Sequence, residues 1–188
     1  QRIAHYDFDS EVLRPYFSFS KVRTGLFDVV SELYGVRVEG CCDMPVWHPQ
    51  VETYKLFDEN NVLLGAFYMD LFPREGKRGG AWMNPLCSGD DDGIHLGLIC
   101  CNMTPPVEGD DPLLLHTEVK TLFHEFGHLL HHVLGGNQKW IRFSGVATEW
   151  DFVEAPSQFF EEWAWDVTVL QRFATHHETG KPIPAELV

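Results

Sequence analysis

The chain has 188 residues, 44% of them hydrophobic and 13% aromatic, which is enough for one domain with a sizeable core. Its 14 Lys and Arg stand against 28 Asp and Glu, a net charge of −14, which argues against the basic face that nucleic acid requires. No window of about 18 consecutive apolar residues occurs, so no membrane-spanning segment is expected.

The chain opens on Gln1 rather than an initiator Met, and Gln1 to Tyr6 lacks the pattern of a signal peptide. A processed chain or a piece of a longer one is expected. Ser20 is expected to cap a helix whose residues Val22, Leu26, Val29, Val30 and Leu33 fall on one side, with Gly35 ending it. From Val36 the pattern turns to strands. Val51 to Asp58 and Val62 to Leu71 flank Glu59-Asn60-Asn61, which reads as a hairpin turn. Asp70 to Lys77 reads as a charged loop, and His95 to Asn102 as a further strand. The segment 34–103 is therefore expected to be sheet-rich. Gly97 would admit a close backbone approach, so a peptide could add to this strand if it lies at an edge; a plain core strand fits the run equally.

Five cysteines are present, and Cys41-Cys42 and Cys100-Cys101 are adjacent pairs. Neighbouring cysteines do not make the hook of a structural zinc site. Cys100 and Cys101 lie in an apolar run and are expected as buried thiols, which fits a reducing, cytoplasmic setting.

Asp110-Asp111-Pro112 is a helix start signal and Gly135-Gly136 a stop, so a helix is expected over 111–135. It carries His124-Glu125-Phe126-Gly127-His128 among apolar residues at helical spacing. Two histidines four apart on a helix differ by about 40° in direction and about 6 Å in height, so both rings can reach one ion. Glu125, next to the first ligand, can take a proton from an attacking water without binding the metal. That is the pattern of metal-assisted hydrolysis of a peptide bond.

Two histidines leave a catalytic zinc site short of a ligand. One class of zinc proteases places a third histidine six residues after the second, but Leu134 stands there. His131 and His132 fall on or near the metal side of the helix and are expected as outer partners or solvated side chains. A second helix is expected over 151–174, with Pro156 in or near its first turn. Glu154, at its start, is the best third ligand. Asp151, Gln158 and Glu161 share its face and are expected to accept N–H bonds from the ligating rings.

Together His124 to His128, Phe143-Ser144-Gly145 and Trp150-Asp151-Phe152-Val153-Glu154-Ala155-Pro156-Ser157-Gln158 resemble the signature of the thimet oligopeptidase family of zinc metallopeptidases. Gly25 to Val29, Phe67 to Asp70 with Arg74 to Lys77, and Cys101 to Thr104 also resemble family stretches. The resemblance implies one Zn²⁺ held by His124, His128 and Glu154, with Glu125 as general base and short peptides as substrates. It implies an α+β, zincin-like catalytic core: a small sheet and two metal-bearing helices, without the family's flanking helical segments. The family also uses histidine and tyrosines from a later segment, whereas every tyrosine here precedes residue 69. Losing an oxyanion donor costs about 10²–10³ in turnover, so the piece alone is expected to be weakly active or inactive. Surface left bare by the absent helices is expected to expose apolar side chains and favour self-association. The other reading of the same ligands is a non-catalytic, zinc-stabilised domain that binds peptides or a partner.

Overall fold

The computed structural model describes residues 10–89, 93–107, 109–136 and 138–188. It is α+β, with helices packed on a five-stranded mixed sheet. Helix α1 (Phe19–Tyr34) is followed by strands β1 (Arg37–Gly40), β2 (Glu52–Phe57), β3 (Leu63–Asp70), β4 (Trp82–Cys87) and β5 (His95–Cys100). Helices α2 (His116–Leu134), α3 (Glu154–Glu161) and α4 (Val167–Phe173) complete the regular structure. The sheet order is β1-β2-β3-β5-β4, with β3 and β5 parallel and the other neighbours antiparallel.

The hairpin between β2 and β3 forms as its sequence predicts. Asn61 takes a left-handed φ of 62°, and the Asp58 side chain accepts the backbone N–H of Asn60 and Val62. β4 is not anticipated by its sequence. Asn84 and Pro85 are poor strand residues, yet Pro85 is tolerated because, among the described residues, β4 pairs on one side only. The strand beginning at His95 is thus interior. Gly97 serves the helix above it rather than a peptide, since a Cβ there would lie 2.4 Å from Leu129 Cδ1. Gly65 on β3 does the same for Val133, at 2.8 Å. These two glycines let α2 settle directly across β3 and β5.

Alternation along β3 divides its side chains between two faces. Phe67 meets Phe126 of α2 edge to face, with centroids 5.5 Å apart, and stacks on Tyr54 of β2. Tyr68, on the opposite face, is covered by Trp47. Phe17, Leu26, Phe67, Phe123, Phe126 and Phe160 are all fully buried and join α1, the sheet, α2 and α3 in one core. Each such side chain contributes about 1.5–3 kcal/mol through burial.

Helix boundaries differ from expectation for a long-range reason. α2 begins at His116, later than the Asp110-Asp111-Pro112 signal, and Glu118 closes its first turn by accepting the Leu115 N–H at 2.6 Å. Asp111 instead serves the start of α1, taking the Ser20 backbone N–H at 3.1 Å and the Ser20 hydroxyl at 2.5 Å. Ser20 therefore lies inside α1, with Ser18 at the cap. The single helix expected over 151–174 is two. α3 tightens into a 3₁₀ turn at Glu162–Ala164, and Asp166 then caps α4 through the N–H groups of Thr168 and Val169.

All five cysteines are free thiols, with Cys100 and Cys101 buried as expected. No described helix is long and apolar enough to cross a membrane. Several aromatic side chains are exposed beyond α2, including Trp140, Phe143, Trp150 and Phe159.

Candidate metal centre

His124 and His128 lie one turn apart on α2, and Glu154 opens α3. The two helices pack closely. A Cβ on Gly127 would lie 2.7 Å from Ser157 Cα, so backbone meets backbone between the ligand positions. Glu154 Oε2 comes to 3.2 Å from His124 Nε2 and 3.1 Å from His128 Nε2. The Ser157 hydroxyl donates to the same carboxylate oxygen at 3.0 Å and so fixes its direction. Among the described residues this is the one group of His, Cys, Asp and Glu able to hold a metal ion.

The donor set fits a zinc-sized ion. Zinc bonds of about 2.0–2.1 Å in a tetrahedron place neighbouring ligand atoms about 3.3–3.4 Å apart, close to the spacings found here. The hydrogen bonding of His124 points the same way. Its Nδ1 lies 3.0 Å from Glu161 Oε2, and donation there leaves Nε2 to face Glu154 Oε2. With no proton on Nε2, a metal cation would satisfy both atoms.

Glu161 thus lies within hydrogen-bond distance of a candidate ligand ring, the contact its spacing leads one to expect. Burial acts to raise its carboxyl, but hydrogen bonds from Lys120 and His124 outweigh this and hold it below the usual range. Asp151 and Gln158 are exposed, and among the described residues neither hydrogen-bonds to His124 or His128. Gln158 lies on the face of Glu154 and Glu161 but is exposed, and Asp151 precedes the helix. His131 and His132 lie outside the ligand group. His131 packs against Phe152, while His132 turns to the sheet and is fully buried, its Nε2 3.0 Å from the carbonyl of Cys87.

Glu125 is only 7% exposed. Burial raises its carboxyl above the usual range, opposed by His124 and by a hydrogen bond from the Met83 backbone and assisted by the charge on Glu154. His128 moves down, again chiefly through burial, which favours the neutral ring a metal ligand needs. Met83 belongs to β4, the sheet edge that the sequence does not reveal. Thr117 and Thr121 precede Glu125 at four-residue intervals and share its side of α2. With Gly80, Ala81 and Asn102 they line a cavity of about 290 Å³ beside the start of β4.

The whole chain, residues 1–188, matches Peptidase family M3. It is 46% identical over 190 residues to oligopeptidase A of Salmonella typhimurium, covering 97% of this chain and 28% of that protein. It is 40% identical over 185 residues to dipeptidyl carboxypeptidase of Escherichia coli, covering 97% of this chain and 27% of the relative. A thimet-like oligopeptidase of Dictyostelium discoideum is 38% identical over 195 residues, 99% of this chain and 29% of that protein. The chain spans little more than a quarter of the length of these relatives. The resemblance carried by the sequence motifs is borne out: the chain belongs to peptidase family M3.

Proposed function

We propose that this chain is the catalytic core of a zinc-dependent peptidase for short peptides, with His124, His128 and Glu154 as metal ligands and Glu125 as general base. The observation that carries this reading is the convergence of two imidazole nitrogens and one carboxylate oxygen beside a buried carboxylate of raised proton affinity. Three protein ligands of this type leave one position free, as catalytic zinc requires. Membership of a peptidase family and relatives named as oligopeptidases support the reaction class. The zincin-like description of the core and action in the cytoplasm belong to the same proposal.

When bound, zinc supplies Lewis acidity toward a peptide carbonyl and an attacking water. Glu125 takes the proton from that water and returns it to the departing amine. Its raised proton affinity suits both halves of that task. Glu154 and the two histidines hold the ion, and Glu161 orients the His124 ring. Among the described residues one edge of β4 has no strand partner, and with the cavity beside Thr117 and Thr121 it offers a path along which an extended peptide can lie as an added strand.

A domain that only binds zinc and peptide would leave the buried Glu125 without a task. Hydrolysis of a short quenched-fluorescence peptide separates the two readings. The zinc-loaded chain is assayed alone and with the remaining segments of an oligopeptidase A relative supplied in trans. Glu125→Gln is expected to retain zinc and lose about 10²–10⁴-fold in turnover. Turnover within tenfold of the parent would remove Glu125 from that role.

A further inference from the structure

Lys120 stands one turn before His124 on α2, and both side chains reach the same carboxylate on α3. Lys120 Nζ lies 2.9 Å from Glu161 Oε1, and His124 Nδ1 lies 3.0 Å from Glu161 Oε2. Each oxygen therefore has its own partner, and the carboxylate plane is held at both ends. A carboxylate with one partner swings about its broad terminal torsion. Glu161 is also the last residue of α3, where the negative end of the helix dipole disfavours an anion. Lys120 supplies the compensating charge from the neighbouring helix. Its side chain is 38% exposed and that of Glu161 18%, so the pair is partly shielded from water.

We infer that Lys120 is a positioning residue for the metal centre: it holds Glu161 in the plane that fixes the ring and tautomer of His124. The inference rests on the proposed metal centre and extends it one residue beyond the ligands and their direct partners. A histidine whose Nδ1–H is donated to a fixed carboxylate presents Nε2 to the ion in a single direction. The His-Glu-x-x-His spacing itself requires no cation at position 120, so this chain adds one of its own.

Zinc affinity of the full chain, read by competition with a chromophoric chelator, tests the assignment. Lys120→Met is expected to weaken zinc binding by about 3- to 10-fold, below the roughly 10–100-fold typical of losing a direct partner of a ligand. Lys120→Arg, which keeps the cation, is expected to restore affinity to within about twofold. In a Glu161→Gln background, which keeps an acceptor for His124 but removes the anion, Lys120→Met should cost nothing further. The melting temperature of the zinc-free chain should be the same with Lys120 or Met. Equal affinity in the parent and Lys120→Met, or an equal loss in the Glu161→Gln background, would overturn the role of Lys120 alone. A parent chain that takes up no zinc would overturn the metal centre itself.

Discussion

Gly127 faces Ser157 so closely that a Cβ on the glycine would lie 2.7 Å from Ser157 Cα. Gly127 sits between the two histidines on α2, and Ser157 lies one turn after Glu154 on α3. This contact therefore sets the distance between the ligands. Gly127→Ala is expected to separate the helices, destabilise the fold by about 1–3 kcal/mol and weaken metal binding at least about tenfold. Urea denaturation and a chelator titration on the same preparation measure the two effects. Unchanged metal affinity would detach the helix contact from the site.

Asp70 anchors the segment that leads into β4. It accepts both guanidinium nitrogens of Arg74 at 2.6 and 2.7 Å, the Lys77 ammonium at 2.9 Å and the Trp47 indole at 3.0 Å. Lys77 also donates to the carbonyls of Asp70, Phe72 and Cys101, and its side chain is 4% exposed. Asp70→Asn leaves that ammonium buried without its counter-charge, and a loss of about 3–5 kcal/mol is expected in chemical denaturation. Burial opposes the ionised carboxyl, but Arg74, Lys77 and Trp47 prevail and hold it far below the usual carboxylate range. Its contribution is therefore complete above the unfolded value of about 3.9 and lost only as pH falls below it. The difference between parent and variant should be constant from neutral pH to about pH 5 and shrink in stronger acid.

His95 at the start of β5 and His132 near the end of α2 form a buried pair, with ring centroids 5.1 Å apart. Burial lowers the proton affinity of both rings. The unfolded chain then binds more protons than the folded one below the ordinary histidine value of about 6.5. Stability is complete above that value and falls as pH drops through it. The zinc-free chain should thus melt at a lower temperature at pH 5.5 than at pH 7.5. His132→Gln keeps a donor for the carbonyl of Cys87 and should flatten that slope. A slope unchanged by the substitution would place its origin elsewhere.

What could be read in advance follows from how local each feature is. Two histidines four apart on a helix are fixed by helical geometry alone, so their convergence is visible in the spacing. The position of Glu154 beside them is legible because it opens the next helix, and that of Glu161 because it lies two turns further along the same face. The helix expected to start at Asp111 starts instead at His116, because an acidic residue before a proline is a valid cap in either of two settings. Here it caps α1, across the isolated bridge between Ser18 and Leu113. β4 escaped because its proline contradicts strand propensity, and only the topology shows that it has a free edge. The break before α4 was hidden under continuous apolar spacing, although Asp166 followed by Val167 and Thr168 was the available cap signal. Gly127 and Lys120 act only through residues of another helix, so no local pattern marks them.

The metal content of the purified chain tests the central claim most directly. Zinc is measured by elemental analysis after saturation and exhaustive dialysis, for the parent and for Glu154→Ala. The account predicts about one zinc per parent chain, the count for a single three-ligand site, and little or none in the variant. A parent chain without zinc, or a variant that holds it as tightly as the parent, would contradict the assembly of His124, His128 and Glu154 as one metal centre.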